Sequence, residues 1–523
     1  MPVSEIGQFI YNVGSTNIYF ATLSVLIIFS IFLFFRWRID PREPFHVPAK
    51  IPFVGHALGL LRHGASYYKN AVTGYSFPIY TLDLLVTKVY IVTSARLVPA
   101  VQRNSKVLSF DPFLTAAAKQ LGGIKKAGLK LLEPEDKGGQ GVNLKVLRAM
   151  HPALLGAGLD AMNKNMIGRL CSFVDELAGG GNHPVDLHLW CRDAITQAST
   201  DAVWGPLNPF KLPGISNAFW EYESNLNVFL LSIRPPFMAG SIHKARENVV
   251  KAFIDYYDAG GQNNSSELAF ARWKAQNDAG AATEDIARLE TAGCIGVLSN
   301  TVPTTFWALF ELYSRPDLLS RLRDELRQNC LRIDLVTKTH TVDLGRIRDN
   351  CPKFVSAFQE ILRLRSSASP LRVVCKDVLL DNQYLLKAGC FIQMPGSFIN
   401  REEAFWGPTA QEFDPTRFEA GKLTQRPTSF TAFGTSPNVC PGRHFASGEI
   451  LALSAMVILR YDITPVGGKW WSPKLNTKAI AASVVPPGEG YPVVISKREE
   501  FPDEATWKFD VTEGKSKFGL ITG

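Results

Sequence analysis

Cysteine is scarce and scattered in this chain. Eight cysteines stand at positions 171, 191, 294, 330, 351, 375, 390 and 440 of 523 residues. None is paired at short spacing, so they form neither a zinc motif nor a disulfide framework, and a reducing compartment is expected. No internal repeat occurs, which excludes a repeat architecture. Charge is also thin: 20% charged residues against 46% hydrophobic ones exclude a disordered chain and leave material for a large core. The net charge of +8 is too dispersed for a nucleic-acid footprint, so no nucleic-acid partner is expected. It suits an anionic membrane surface or an acidic protein partner. Length alone is compatible with about three domains or with one large α-rich enzyme.

What is present begins with a run that has no charge at all, Ile18 to Phe35. As a helix it would span about 27 Å, the thickness of a thin bilayer. A secretory signal would carry its positive charge before a shorter apolar core. Here Arg36, Arg38, Arg42 and Lys50 follow instead. The positive-inside rule then leaves the body in the cytosol. The organisation expected is a short segment 1–17, a transmembrane anchor 18–35, a proline-rich hinge 36–55 and a main domain 56–523. Pro41, Pro44, Pro48 and Pro52 in the hinge predict a stiff extended spacer between body and bilayer.

Along the body, Phe77 to Val92 reads as a strand pair, being β-branched and aromatic with partial alternation. Most of the remainder has helical spacing, so the class is mainly α with a small β region. Phe229 to Met238 is apolar and broken by Pro235 and Pro236; it is either a membrane-dipping loop or a buried one. Ala259 to Ser266 reads as a flexible surface loop, with sequons at Asn263 and Asn264 that a cytosolic body would leave unused. Ile286 to Tyr313 is a long apolar helical pattern with Ser299, Asn300, Thr301 and Pro303 in its middle. Pro303 cannot donate to the carbonyl of Ser299, which predicts a kink there. Phe354 to Leu364 is an amphipathic helix with Glu360 and Arg363 one turn apart. Exposed, such a pair would contribute only ~0.2–0.5 kcal/mol.

The densest stretch runs from Phe430 to Ala446. Turn residues crowd before Cys440, and an apolar helical pattern follows it. Backbone N–H groups at a helix mouth favour thiolate over thiol. Pro441 and Gly442 keep bulk off one side of the sulfur, leaving access for a large flat group.

This segment resembles the haem-binding loop of the cytochrome P450 superfamily, with Phe433, Cys440 and Gly442 in register. The family usually has Gly where Ser436 stands and a propionate-binding Arg where Asn438 stands. The resemblance implies a cytochrome P450 fold preceded by one N-terminal transmembrane helix, with haem b as cofactor and Cys440 as axial thiolate. Such a ligand favours O–O cleavage and hence monooxygenation. Phe433 would pack at the haem loop. Arg372 is implied as a propionate partner, and Lys145 and Arg148 are candidates for the same role or for a solvated helix face. Glu360 and Arg363, with Arg417 from the Phe413 to Phe418 segment, resemble the family's buried structural triad. In the family the long helix crosses the haem and carries an acid followed by an alcohol that relay protons. Ser299 and Asn300 fall at those positions, with Thr301 one residue on. The pattern Asn300, Pro303, Phe306, Trp307 resembles the branch of sterol 7α- and 12α-hydroxylases and prostacyclin synthase, as does the tract Ser366 to Ser369.

The anchor and hinge look like those of microsomal members. The resemblance therefore implies a single-pass protein of the endoplasmic reticulum membrane that takes electrons from NADPH-cytochrome P450 reductase. Its substrate would be bulky and lipophilic, such as a sterol, a terpenoid or a polyketide-type secondary metabolite. The alternative class is an electron-independent isomerase or dehydratase of a peroxide, as prostacyclin synthase is.

Overall fold

A computed structural model describes residues 22–27, 29–30, 39–51, 54–73, 76–84, 87–132, 141–179, 183–230, 240–420, 427–476, 479, 482–501, 505–513 and 518–520. Of the expected anchor, only 22–27 and 29–30 fall within this set; they are helical and exposed. Among the described residues no helix is long and apolar enough to cross a membrane. Of the apolar loop, residues 231–238 lie outside the described set.

The expected strand pair is present as β1 (Ile79–Asp83) and β2 (Lys88–Val92), antiparallel with Ile79 opposite Val92. Both strands are almost wholly buried, which is why their sequences run apolar instead of alternating cleanly. β3 (Leu371–Val374) and β4 (Phe391–Gln393) complete the sheet, β4 lying parallel to β2 and antiparallel to β3, with Leu108–Ser109 at the edge.

The hinge differs from the spacer its prolines suggested. Val47 N–H donates to the Thr81 carbonyl at 3.0 Å, and the Phe45 carbonyl accepts from Thr81 N–H at 2.8 Å. Glu43 is buried and accepts from Lys88 Nζ at 2.9 Å and from the Tyr90 hydroxyl at 3.0 Å. Proline favours the extended backbone here, but that backbone is knitted to the sheet edge. The Ala259 to Ser266 segment also differs. It forms a short 3₁₀ turn, Gly261–Asn264, whose Gly261 and Gln262 are buried. Ser266 ties it to the Val203 carbonyl through N–H and hydroxyl.

The helical body surrounds two long elements. One is the helix after Cys440, Arg443–Arg460, with all but Arg443 and Ala446 buried. It packs on Gly156–Asp175, on Pro316–Asn329 and on the second long element. That second element is the predicted long helix, which is broken in two. α1 (Thr283–Leu298) ends before Ser299, and α2 (Thr301–Tyr313) starts after Asn300. Pro303 accounts for the break, since its missing N–H leaves the Ser299 carbonyl without its helical donor. Every residue of α2 is buried, the polar Thr301, Thr304, Thr305 and Glu311 among them. Each large side chain so buried contributes roughly 1.5–3 kcal/mol.

Candidate functional site

Cys440 closes a two-stranded turn made by Gly434–Thr435 and Asn438–Val439. Its N–H donates to the Phe433 carbonyl at 2.7 Å, which fixes the sulfur-bearing residue to the start of the turn. Gly434 has φ +88°, and a Cβ there would lie 2.9 Å from the Asn438 carbonyl oxygen, so the turn demands glycine. Arg443 Nη1 donates to the Cys440 carbonyl at 3.0 Å. Burial pushes the thiol up. The N–H groups of Gly442 and Arg443, with the Arg443 charge, pull it back without cancelling the rise. The expected preference for thiolate is therefore not a property of the turn alone.

Behind the turn lies a triad with almost no solvent contact. Glu360 and Arg363 sit on the helix Pro352–Arg365, with Arg363 Nε and Nη2 each 2.7 Å from the carboxylate. Arg417 Nε reaches Glu360 Oε1 at 3.3 Å. Arg363 also donates to the carbonyls of Asn400 at 2.8 Å, Ala410 at 2.6 Å and Glu412 at 3.0 Å. Arg417 donates to those of Trp406 and Thr409, each at 3.0 Å. Buried ions persist only with such full satisfaction. The triad pins the irregular segment 400–417 to the helix.

A cavity of about 1850 Å³ joins the Cys440 turn to the broken helix. Cys440, Phe433, Arg372 and Arg148 line it, and so do Asn300 and Thr301. Lys145 does not. It stands exposed on the helix Val142–Ala153, outside the lining, which matches the solvated-face reading. Ser299 is also outside the lining. Its buried hydroxyl makes no well-formed hydrogen bond, but it faces Glu223, whose carboxyl burial raises and Ser299 lowers.

Asn300 is held from a place the sequence did not indicate. Its Oδ1 accepts from the Ser483 N–H at 2.7 Å, a contact across 183 residues. The hydroxyls of Thr301 and Thr304 donate back along the helix, to Val297 at 3.2 Å and Asn300 at 2.6 Å. Of these, the Thr304 spacing, four residues after Asn300, was the available signal. Arg372 is buried and donates to the Thr435 carbonyl and hydroxyl at 3.1 and 3.2 Å. Burial lowers it to about 10, and no carboxylate pairs with it among the described residues.

These residues fit an iron porphyrin. Cys440 offers the sulfur, and Arg372 is a buried cation without a counter-anion among the described residues, suited to a propionate. Gly296, exposed on α1 in the cavity wall, has nothing within 4 Å of where a Cβ would stand, and the same is true of Gly442. A flat group can therefore approach both backbones.

The chain matches the family described as Cytochrome P450 over residues 45–491. It is 43% identical over 503 residues, 93% of this chain and 96% of the other, to "Cytochrome P450 monooxygenase nodJ" of Hypoxylon pulicicidum. It is 23% identical to "Cytochrome P450 7B1" of Mus musculus, covering 85% and 89% of the two chains. A shorter match, 29% identical and covering 33% and 45%, is to "25-hydroxycholesterol 7-alpha-hydroxylase" of Rattus norvegicus. Among solved structures, retinoic acid-bound cyanobacterial CYP120A1 shares the fold with a TM-score of 0.68 at 18% identity, covering 87% of this chain and 99% of that one. With the Cys440 turn, the buried triad and the cavity all within the matched span, the chain belongs to the cytochrome P450 family and is a haem-thiolate monooxygenase.

Proposed function

We propose that this enzyme oxidises a bulky lipophilic substrate, a sterol, terpenoid or polyketide-type secondary metabolite. In this reading it is anchored in the endoplasmic reticulum membrane by residues 18–35, and NADPH-cytochrome P450 reductase supplies the electrons. The observation that carries the substrate class is the cavity. Its volume exceeds the roughly 300–1,000 Å³ of ordinary small-molecule sites, which leaves room for a large ligand beside the cofactor. Its walls include Phe110, Leu121, Val297, Leu362, Val484 and Val485. The name of the partial rat relative supports a ligand of sterol size.

Bound haem supplies the iron centre at which dioxygen is activated. The rest is the work of the chain. Cys440 gives up its thiol proton on ligation, and the N–H groups of Gly442 and Arg443 then stabilise the sulfur charge. Phe433 holds the turn through its carbonyl. Asn300 spends its Oδ1 on Ser483, so the group it has left for a ligand is the Nδ2 donor. It can hold an oxygen atom in place but cannot hand on a proton as a hydroxyl does.

The test is turnover. Full-length protein with reductase, NADPH and dioxygen should oxidise lipophiles that first shift the haem spin state. Absence of NADPH-dependent product across such binders would overturn the reading. A peroxide isomerase or dehydratase is the second reading. It is favoured by one observation: the hydroxyls of Thr301 and Thr304 are committed to backbone carbonyls beside an amide at 300. Conversion of a hydroperoxide without NADPH would select it.

A further inference from the structure

Beyond Arg372, the cavity wall carries two neighbouring cations that no carboxylate answers. Lys69 projects from the helix Tyr67–Ala71, and Arg401 follows the short helix Gly396–Ile399; both line the cavity. Lys69 Nζ lies 5.8 Å from the centre of the Phe398 ring. Each cation is held below its usual pKa. Lost hydration is the larger cause, followed by Arg401 for Lys69, and by Arg363 and Arg365 for Arg401. Arg401 donates to the Leu364 carbonyl. The Glu360 carboxylate is within its electrostatic reach but is taken by Arg363 and Arg417. Neither Lys69 nor Arg401 has an ion-pair partner among the described residues.

One turn before Arg401, Ser397 lines the same wall, and its buried hydroxyl has no hydrogen-bond partner among the described residues. The neighbouring wall from the helix Gly55–His63 is apolar, with Ala57, Leu60 and Leu61. Lys69 is exposed and Arg401 half-buried, and each has lost hydration that an anion beside them would restore. Such a pair with an idle hydroxyl offers charge-assisted donors to planar oxyanions.

We propose that Lys69, Arg401 and Ser397 form a carboxylate-binding subsite in the cavity. Two carboxylates could fill it: the acid group of a lipophilic substrate, or a propionate of the haem. In the first case the subsite rests on the lipophilic-substrate reading above and narrows that class to lipophilic acids.

The experiment uses ferric holoenzyme, wild type and the variants Lys69→Gln, Ser397→Ala and Arg401→Gln. The probes are hexadecanoic acid and its methyl ester, which share a tail and differ in charge, with binding followed by equilibrium dialysis. Haem retention is followed separately, as transfer to apomyoglobin. A substrate-acid site predicts that wild type prefers the acid by roughly ten- to a hundredfold. That preference should fall to near parity in K69Q and R401Q and partly in S397A, with haem transfer unchanged. A propionate site predicts faster haem transfer in the variants and an unchanged acid-to-ester ratio. Folded variants that alter neither quantity would overturn the subsite. The Lys69 ammonium makes no hydrogen bond among the described residues, so K69Q gives an answer even if R401Q, which loses its Leu364 contact, does not fold. Failure of NADPH-dependent oxidation would overturn the preceding reading and leave the acid-to-ester ratio untouched.

Discussion

Arg363→Ala is the perturbation whose cost follows most directly from the geometry. The guanidinium makes two charge-assisted hydrogen bonds to Glu360 and three to the carbonyls of Asn400, Ala410 and Glu412. Both charged side chains have 0% exposure, so no water replaces the lost partner. Arg417, at 3.3 Å, would be left as the sole counter-ion of a fully buried carboxylate. Breaking a buried pair from one side costs roughly 3–5 kcal/mol. That is a large part of the 5–15 kcal/mol by which folded proteins are ordinarily stable. The loss should appear as a lower urea midpoint at constant m-value and as faster haem release, because segment 400–417 is freed from its helix. Lys274→Ala, which removes an exposed pair with Asp278, is the matched control and should cost under about 0.5 kcal/mol. If R363A lay within 1 kcal/mol of wild type, the triad would not be what holds this part of the body together.

Four other outcomes are expected. Cys440→Ala should abolish the carbon monoxide difference band of a thiolate-ligated haem; a retained band would refute the ligand assignment. Asn300→Ala strands the Ser483 N–H and should cost about 1–3 kcal/mol, while raising the share of NADPH electrons lost to peroxide; unchanged partition would reduce Asn300 to a strut. Removing residues 1–38 should release the protein from membranes with haem intact, and persistent binding would point to a second contact at Phe229 to Met238. Glu449 supplies a pH signature: burial lifts its carboxyl to about 8, against the Ser199 hydroxyl, which pulls it down. The folded state then holds a proton that the unfolded state releases, so stability should fall by a few kcal/mol as pH rises from about 4.5 to about 8. Glu449→Gln should flatten that fall, and an unchanged slope of urea midpoint against pH would rule the group out.

What could be read from the chain alone was what local covalent rules decide. Pro303 breaks its helix because of an atom it lacks, and the turn before Cys440 is spelled by residues within it. Glu360 and Arg363 share a helix face by spacing. Their burial and their third partner depend on segment 400–417 folding back, and only the resemblance supplied that. Contacts across long stretches of sequence left no local trace. Ser483 reaches Asn300, Thr435 holds Arg372, and Thr81 captures residues 45 and 47, none of them signalled by spacing. The hinge prolines gave the right backbone and the wrong role for this reason: extended chain is equally suited to a free spacer and to a sheet edge.

The Cys440 thiol shows how a local and a distant effect can oppose each other in sign. Its turn offers the sulfur two N–H groups and sets the Arg443 charge nearby, and on those grounds a thiolate is expected. Burial comes from the packing of elements far away in sequence, and it outweighs them. The balance leans toward the thiol, and binding of the cofactor's iron would draw the proton from the sulfur. Ligation and deprotonation become a single event, so cofactor capture by this chain should release one proton. A pH-stat measurement during haem loading of wild type, with Cys440→Ala as the control, should show that release; equal release from both would mean that the sulfur was already ionised.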